Sequence, residues 1–126
     1  MIKSEILNFI EQYNSFCQIV AGNQPFRKLH TRLEANINSA TFIDFKDGTY
    51  QYGGYERGSC FLTFESTDMN ECMFYPVNDA LFSLAFDFEL KNRIENQDSR
   101  IIAFKTWVDY MKQINLEWAK KVEFDW

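Results

Sequence analysis

The chain has 126 residues, 46% of them hydrophobic and 17% aromatic, which fits one domain with a buried core and excludes a disordered polymer. The net charge is −5 but unevenly spread: twelve acids against four bases from Glu34 to Asp98 give −8, while residues 1–33 carry +2 and residues 99–126 carry +1. An acidic centre argues against direct nucleic-acid binding, which rewards Lys and Arg; it suits a basic protein partner, or a plain solvated acidic surface.

The N-terminus MIKSEILNFIEQYNSF has neither an unbroken apolar core nor a small-residue cleavage site, so it is not read as a signal peptide. No window approaches the ~18 apolar residues of a membrane span. Three widely spaced cysteines without a CxxC pair make a disulfide framework unexpected and a reducing cytoplasm the natural setting. Ile2, Ile6, Phe9, Ile10, Tyr13, Phe16, Cys17 and Val20 share one helical face, which predicts an amphipathic helix of about five turns stopped by Gly22-Asn23. From Pro25 to Ala40 the pattern fits both periods, and the expectation is a short helix after Pro25 leading into an extended segment.

TFIDFKDGTYQY places an Asp47-Gly48 turn between two β-rich runs, a hairpin that pairs Phe45 with Tyr50 and Ile43 with Tyr52 on one face. Asp44 and Gln51 then share the other face. The run Cys60-Phe61-Leu62-Thr63-Phe64 predicts a third strand, with Cys60 pointing into the core beside Leu62 and Phe64. Between them lies GGYERGSCF. A phosphate loop needs Lys-Ser/Thr and a helix after its glycines, and here a strand follows. Gly53-Gly54 is therefore a bulge or kink, and Arg57-Gly58 a type II turn with positive φ at Gly58. Arg57 is then free to hold a helix acid such as Glu71 or Glu89, or to cap carbonyls.

Ser66, Thr67 or Asp68 can cap the next helix, with Glu71 in its first turn, and Pro76 is expected to break it. From Val77 to Ile94 a helix carries two apolar stripes, Val77/Leu81/Leu84/Phe88 and Phe82/Phe86/Leu90, so it is either sandwiched between layers or covered by a partner. After the polar break at Asn96-Gln97, Asp98 or Ser99 caps a long helix with Ile101, Phe104, Trp107, Val108, Met111 and Ile114 on one face. Asn115 caps a last helix through Trp118 and Lys121. The order gives an α+β class: an N-terminal amphipathic helix, a three-stranded antiparallel sheet and a C-terminal helical half, all in a single domain over residues 1–126.

The chemistry of catalysis does not assemble. His30 is the only histidine, an ordinary surface or rim residue, and no cysteine sits at metal-ligand spacing from it. Ser83 lacks a nucleophile elbow, and Asp87 and Glu89 face different directions on a helix. No catalytic residue, metal or cofactor is expected, and no enzyme.

Read in order, the DG hairpin with its tyrosines, Glu56-Arg57-Gly58, Thr67-Asp68-Met69-Asn70-Glu71, Phe88-Glu89-Leu90-Lys91-Asn92-Arg93-Ile94-Glu95, Gln97-Asp98 and the Phe/Trp-rich helix ending at Trp118 form a series. It resembles immunity protein family sixty-three of bacterial polymorphic toxin and contact-dependent growth inhibition systems, over about residues 41–120. Cys72-Met73-Phe74-Tyr75 stands where that family usually has a leucine-rich run. The resemblance implies a small cytoplasmic antitoxin that binds the C-terminal domain of a cognate toxin, often a nuclease, and blocks its active site or substrate groove. With the acidic centre it implies a basic toxin surface met by Asp44, Asp47, Glu65, Asp68 and Glu71, with Tyr55 or Tyr75 as anchors and Glu56, Arg57 and Gly58 as a structural motif. No direct nucleic-acid or membrane contact is expected. The rival is a homo-oligomeric structural or adaptor domain, a homodimer closing over Phe82/Phe86/Leu90.

Overall fold

The computed structural model describes residues 2–93, 95–96 and 98–125. Ile94, at the predicted end of a helix, and Gln97, in the predicted polar break, lie outside the described residues. The elements are α1 (Ser4–Ala21), β1 (His30–Thr31), α2 (Arg32–Asn38), β2 (Thr41–Lys46), β3 (Thr49–Glu56), β4 (Ser59–Ser66), α3 (Met69–Lys91), α4 (Ser99–Ile114) and α5 (Leu116–Asp125). They fall into two compact units, one from residues 1–15 and 28–77, the other from residues 16–27 and 78–126.

The first unit is built on a four-stranded mixed sheet in the order β1-β2-β3-β4, with β1 parallel to β2 and the other pairs antiparallel. The expected three antiparallel strands are thus joined by a fourth, and the expected order within residues 25–40 is reversed. Thr31 opens a capping box: its backbone N–H and its hydroxyl both donate to Glu34 Oε1, at 3.2 and 3.1 Å. That fixes the helix start at Arg32 and leaves His30 and Thr31 extended, beside Phe42 and Ile43. The crossover between these parallel partners is α2 itself. Its Leu33 and Ile37 are 72% and 76% exposed, and Ala35 is its buried residue.

The hairpin forms in the predicted register, Phe45 against Tyr50, Ile43 against Tyr52 and Asp44 against Gln51. Asp47 and Gly48 both have positive φ, the type I′ arrangement that matches strand twist. Phe42 and Ile43 are both fully buried, so β2 is covered on both faces. On the Ile43 face, Tyr50 packs against Phe45 at 4.7 Å between ring centroids and against Phe9 of α1 at 5.7 Å. Along α1 the predicted face is buried at Ile6, Phe9, Tyr13 and Cys17, while Ile2 stays outside, and Gly22 ends the helix with φ of +61°.

The glycines of GGYERGSCF have two structural duties. Tyr52 pairs with Phe64 but Gly53 pairs with Leu62, so Thr63 is the extra residue of a β-bulge on β4. There β4 crosses so close that a Cβ on Gly53 would meet the Phe61 carbonyl oxygen, and one on Gly54 would lie 2.8 Å from the Phe61 ring. Arg57 and Gly58 both have positive φ (52° and 82°), so this second hairpin also closes on a type I′ turn rather than the expected type II. A two-residue connection between twisted strands favours the primed turn.

In the bulged edge strand β4, Cys60 is exposed rather than in the core, with Phe61 45% and Leu62 48% exposed. The extra residue breaks the alternation that placed Cys60 inside. At the end of β4, Asp68 is the cap of α3, its Oδ1 accepting from the N–H groups of Asn70 (2.8 Å) and Glu71 (3.3 Å). The helix then runs through Pro76 without ending. An interior proline costs about 3 kcal/mol through its missing N–H and its ring. Burial of Cys72, Met73, Phe74, Pro76 and Val77 offsets that cost.

The second unit is helical. Asp98 caps α4 through the Arg100 N–H at 2.9 Å, and Asn115 Oδ1 caps α5 through Glu117 (2.9 Å) and Trp118 (3.2 Å). Its core includes Ala80, Leu81, Leu84, Ala85, Ala103, Val108, Met111, Ala119 and Val122. Ile101, predicted on the buried face of α4, is 53% exposed. Trp107 donates to Asn78 Oδ1 at 2.9 Å and meets Phe82 edge-on at 5.0 Å. Of the two predicted stripes of α3, Leu81 and Leu84 are buried, while Phe82, Phe88 and Leu90 are 39%, 43% and 63% exposed. Glu89 is the buried acid, 2% exposed, and Arg93 grips it bidentately at 3.0 and 3.2 Å. Of the two helix acids offered as partners for Arg57, Glu89 is thus held by Arg93, while Glu71 accepts from the Ser66 hydroxyl.

Candidate partner-binding surface

Two ends of the sheet divide the predicted contact residues. Because β2 runs into the Asp47-Gly48 turn and β4 finishes opposite Tyr50, the turn and the β4–α3 junction lie at the same end. Asp47, Glu65, Asp68 and Glu71 are all exposed there. Register also lines up Asp44, Gln51 and Glu65 across three strands on one face, where Gln51 donates to Glu65 Oε2 at 3.3 Å.

At the junction, the acids are held by the local fold. The Ser66 hydroxyl accepts from the Asp68 N–H at 3.0 Å and donates to Glu71 Oε2 at 2.9 Å. Together with the Asp68 cap, these bonds fix both carboxylates beside the free amides of the first helical turn, where negative charge is favoured. Tyr75, one turn further on, is half-buried and stacked on Phe64 at 4.3 Å, with Phe74 edge-on at 5.2 Å. It therefore presents a ring already held in place.

Tyr55 belongs to the other end of the sheet, paired with Cys60 and four residues along β3 from Gln51, a separation of about 13 Å. There it joins a cluster that no local pattern announces. The Arg32 guanidinium lies 5.2 Å over the buried Phe42 ring. It donates to the Tyr55 hydroxyl (3.2 Å), to Asp44 Oδ2 (3.4 Å) and to Cys60 Sγ (3.4 Å). The hydrogen bond to Tyr55 first, with a smaller one to Asp44, raises the Arg32 pKa above its usual value. Asp44 is therefore paired within the fold, whereas Asp47 sits in the hairpin turn and stands open to solvent. Glu56, Arg57 and Gly58 form the adjacent turn and are exposed.

Sequence reasoning missed Arg32, since its partners are 12, 23 and 28 residues away. The nearest signal was the Thr31-x-x-Glu34 capping box, which places Arg32 at the first position of a helix over the sheet. His30, half-buried in β1, has a buried Nδ1 without a hydrogen-bond partner. Among the described residues no group of three or more His, Cys, Asp or Glu side chains is arranged to hold a metal ion, and no helix is long and apolar enough to cross a membrane.

A family model described as Immunity protein 63 matches residues 46–125. That span runs from the hairpin turn through α5 and includes both the acidic junction and the Glu56-Arg57-Gly58 turn. No curated protein and no solved structure matches the chain.

Proposed function

Because the chain belongs to the Immunity protein 63 family, it is an immunity protein of a toxin–immunity system, and we propose that it acts in the cytoplasm by covering the active site or substrate groove of a basic cognate toxin domain. The toxin is proposed to be a nuclease of a contact-dependent inhibition system, encoded directly upstream. One observation carries the reading: Asp47, Glu65, Asp68 and Glu71 project from one end of the sheet, an acidic surface suited to a groove built for phosphates. Tyr75, pre-stacked on Phe64, is the aromatic anchor beside it, since a fixed ring loses little freedom on binding. The family is generally non-enzymatic, and inhibition by occlusion requires no catalytic group on this chain.

The test is co-expression with the upstream toxin domain. Wild-type protein should restore growth, and Asp47→Lys with Glu65→Lys should slow association by about tenfold at low salt and much less at high salt. Those two acids are chosen because neither caps a helix. Failure of the wild-type protein to protect cells would remove the immunity reading for that toxin.

A second reading rests on Phe88 and Leu90, which stand 43% and 63% exposed on α3. A homodimer would bury them without excluding toxin binding. Sedimentation that shows a monomer at high concentration eliminates it.

A further inference from the structure

We infer that the outer edge of β4 receives an extended, basic strand of the toxin by strand addition. This rests on the immunity reading and specifies how the partner is held. Strand β4 ends the sheet order, and among the described residues no strand pairs with its far side. It is eight residues long, and Ser59 through Thr63 are all exposed. Such an edge presents free N–H and C=O groups to any chain that can lie alongside it. Phe61 and Leu62, adjacent and about half exposed, offer an apolar contact on each face of an added strand.

The charge around the edge selects the occupant. Natural edges are commonly blunted by Lys or Pro, and SCFLTFES has neither. It has the bulge at Thr63 and acids instead: Glu65 within the strand, Glu56 opposite Ser59, and Glu71 bonded to Ser66. Asp68, bonded through its N–H to Ser66, adds a further carboxylate, while Arg57 is the basic residue of the adjoining turn. Two copies of this chain would bring like charges together along the edge. A strand with Lys or Arg between apolar residues would instead complement it. The same acids thus hinder self-pairing and admit a basic partner.

The experiment uses the full chain with the toxin domain encoded directly upstream. In the free protein a maleimide should reach Cys60 first, since Cys17 and Cys72 are buried. In the complex, Cys60 labelling and the exchange of alternate β4 amides should both slow by about tenfold or more. A complex that leaves the β4 amides exchanging at their free rate overturns the inference, even if Cys60 is shielded, and leaves the immunity reading standing. Protection of β4 that grows with protein concentration in the absence of toxin places a second copy on the edge and also overturns it. If wild-type protein does not bind the toxin at all, the immunity reading falls first and strand addition with it.

Discussion

At Gly53 the close crossing of β4 leaves no room for a side chain, because the obstacle is the Phe61 carbonyl of the backbone rather than a flexible group. Gly53→Ala should therefore lower stability by about 1–3 kcal/mol or more, measured by urea denaturation. Gly58→Val acts differently, since open space surrounds the Cβ and the penalty is its φ of +82°; about 1–3 kcal/mol is expected, with Glu56→Gln neutral. The thiols make a third contrast. Burial pushes the Cys72 thiol up to about 12, so it is inert to alkylation near neutral pH until the protein opens, whereas Cys60 is accessible. Mass spectrometry after brief maleimide treatment should find one adduct, at Cys60, in folded protein. A positive φ at Gly58 and an irregularity at Gly53-Gly54 were legible in the sequence, but the extra residue lies across from them at Thr63 of β4 and the turn is type I′. The environment of Cys60 was not legible, because one extra residue in β4 changes which side of the strand each side chain occupies.

Helix ends carry much of the definition of the elements. Asp68→Ala removes the acceptor for two N–H groups of α3 and should cost about 1 kcal/mol in denaturant titration, with Asp68→Asn close to wild type. Acid should loosen α2 and α4 in the same way. The Thr31 backbone N–H, then its hydroxyl, holds the Glu34 carboxyl below its ordinary 4.5, and the Arg100 side chain, then its backbone N–H, holds Asp98 below 3.8. A depressed folded pKa contributes stability above the unfolded value and loses it as pH falls through the folded one. The thermal midpoint should therefore be insensitive to these groups from pH 8 to 5 and decline toward pH 3, modestly because both acids are solvated. The hairpin was readable because Asp47-Gly48 and the flanking alternation are local signals. The parallel pairing of His30-Thr31 was not, being two residues long and closed by a helix whose capping box competed with an ambiguous apolar pattern. Pro76 misled for a related reason: its local preference to break a helix was outweighed by burial that only tertiary contacts supply.

For the molecule as a whole, the proposed meeting of an acidic surface with a basic toxin predicts association that is fast at low salt. The rate constant for the toxin should fall as ionic strength rises, while a rate independent of salt would detach the acidic surface from the encounter. The candidate surface was legible as a set of acids but not as a geometry, because register alone decides that Asp47 and Glu65 share an end while Tyr55 lies at the other. The division of the chain into residues 1–15 with 28–77 and residues 16–27 with 78–126 has a consequence for synthesis on the ribosome. All of the first unit has been made once residue 77 is complete, but residues 16–27 precede the rest of their unit by fifty positions. During translation that amphipathic stretch must wait with part of its apolar face unsatisfied, and Phe16 meets Trp118 only after residue 118 has been made. Stalled nascent chains ending between residues 78 and 110 should therefore be cut by protease in that waiting segment more readily than full-length protein, whereas equal resistance would show that it is sheltered earlier by other means.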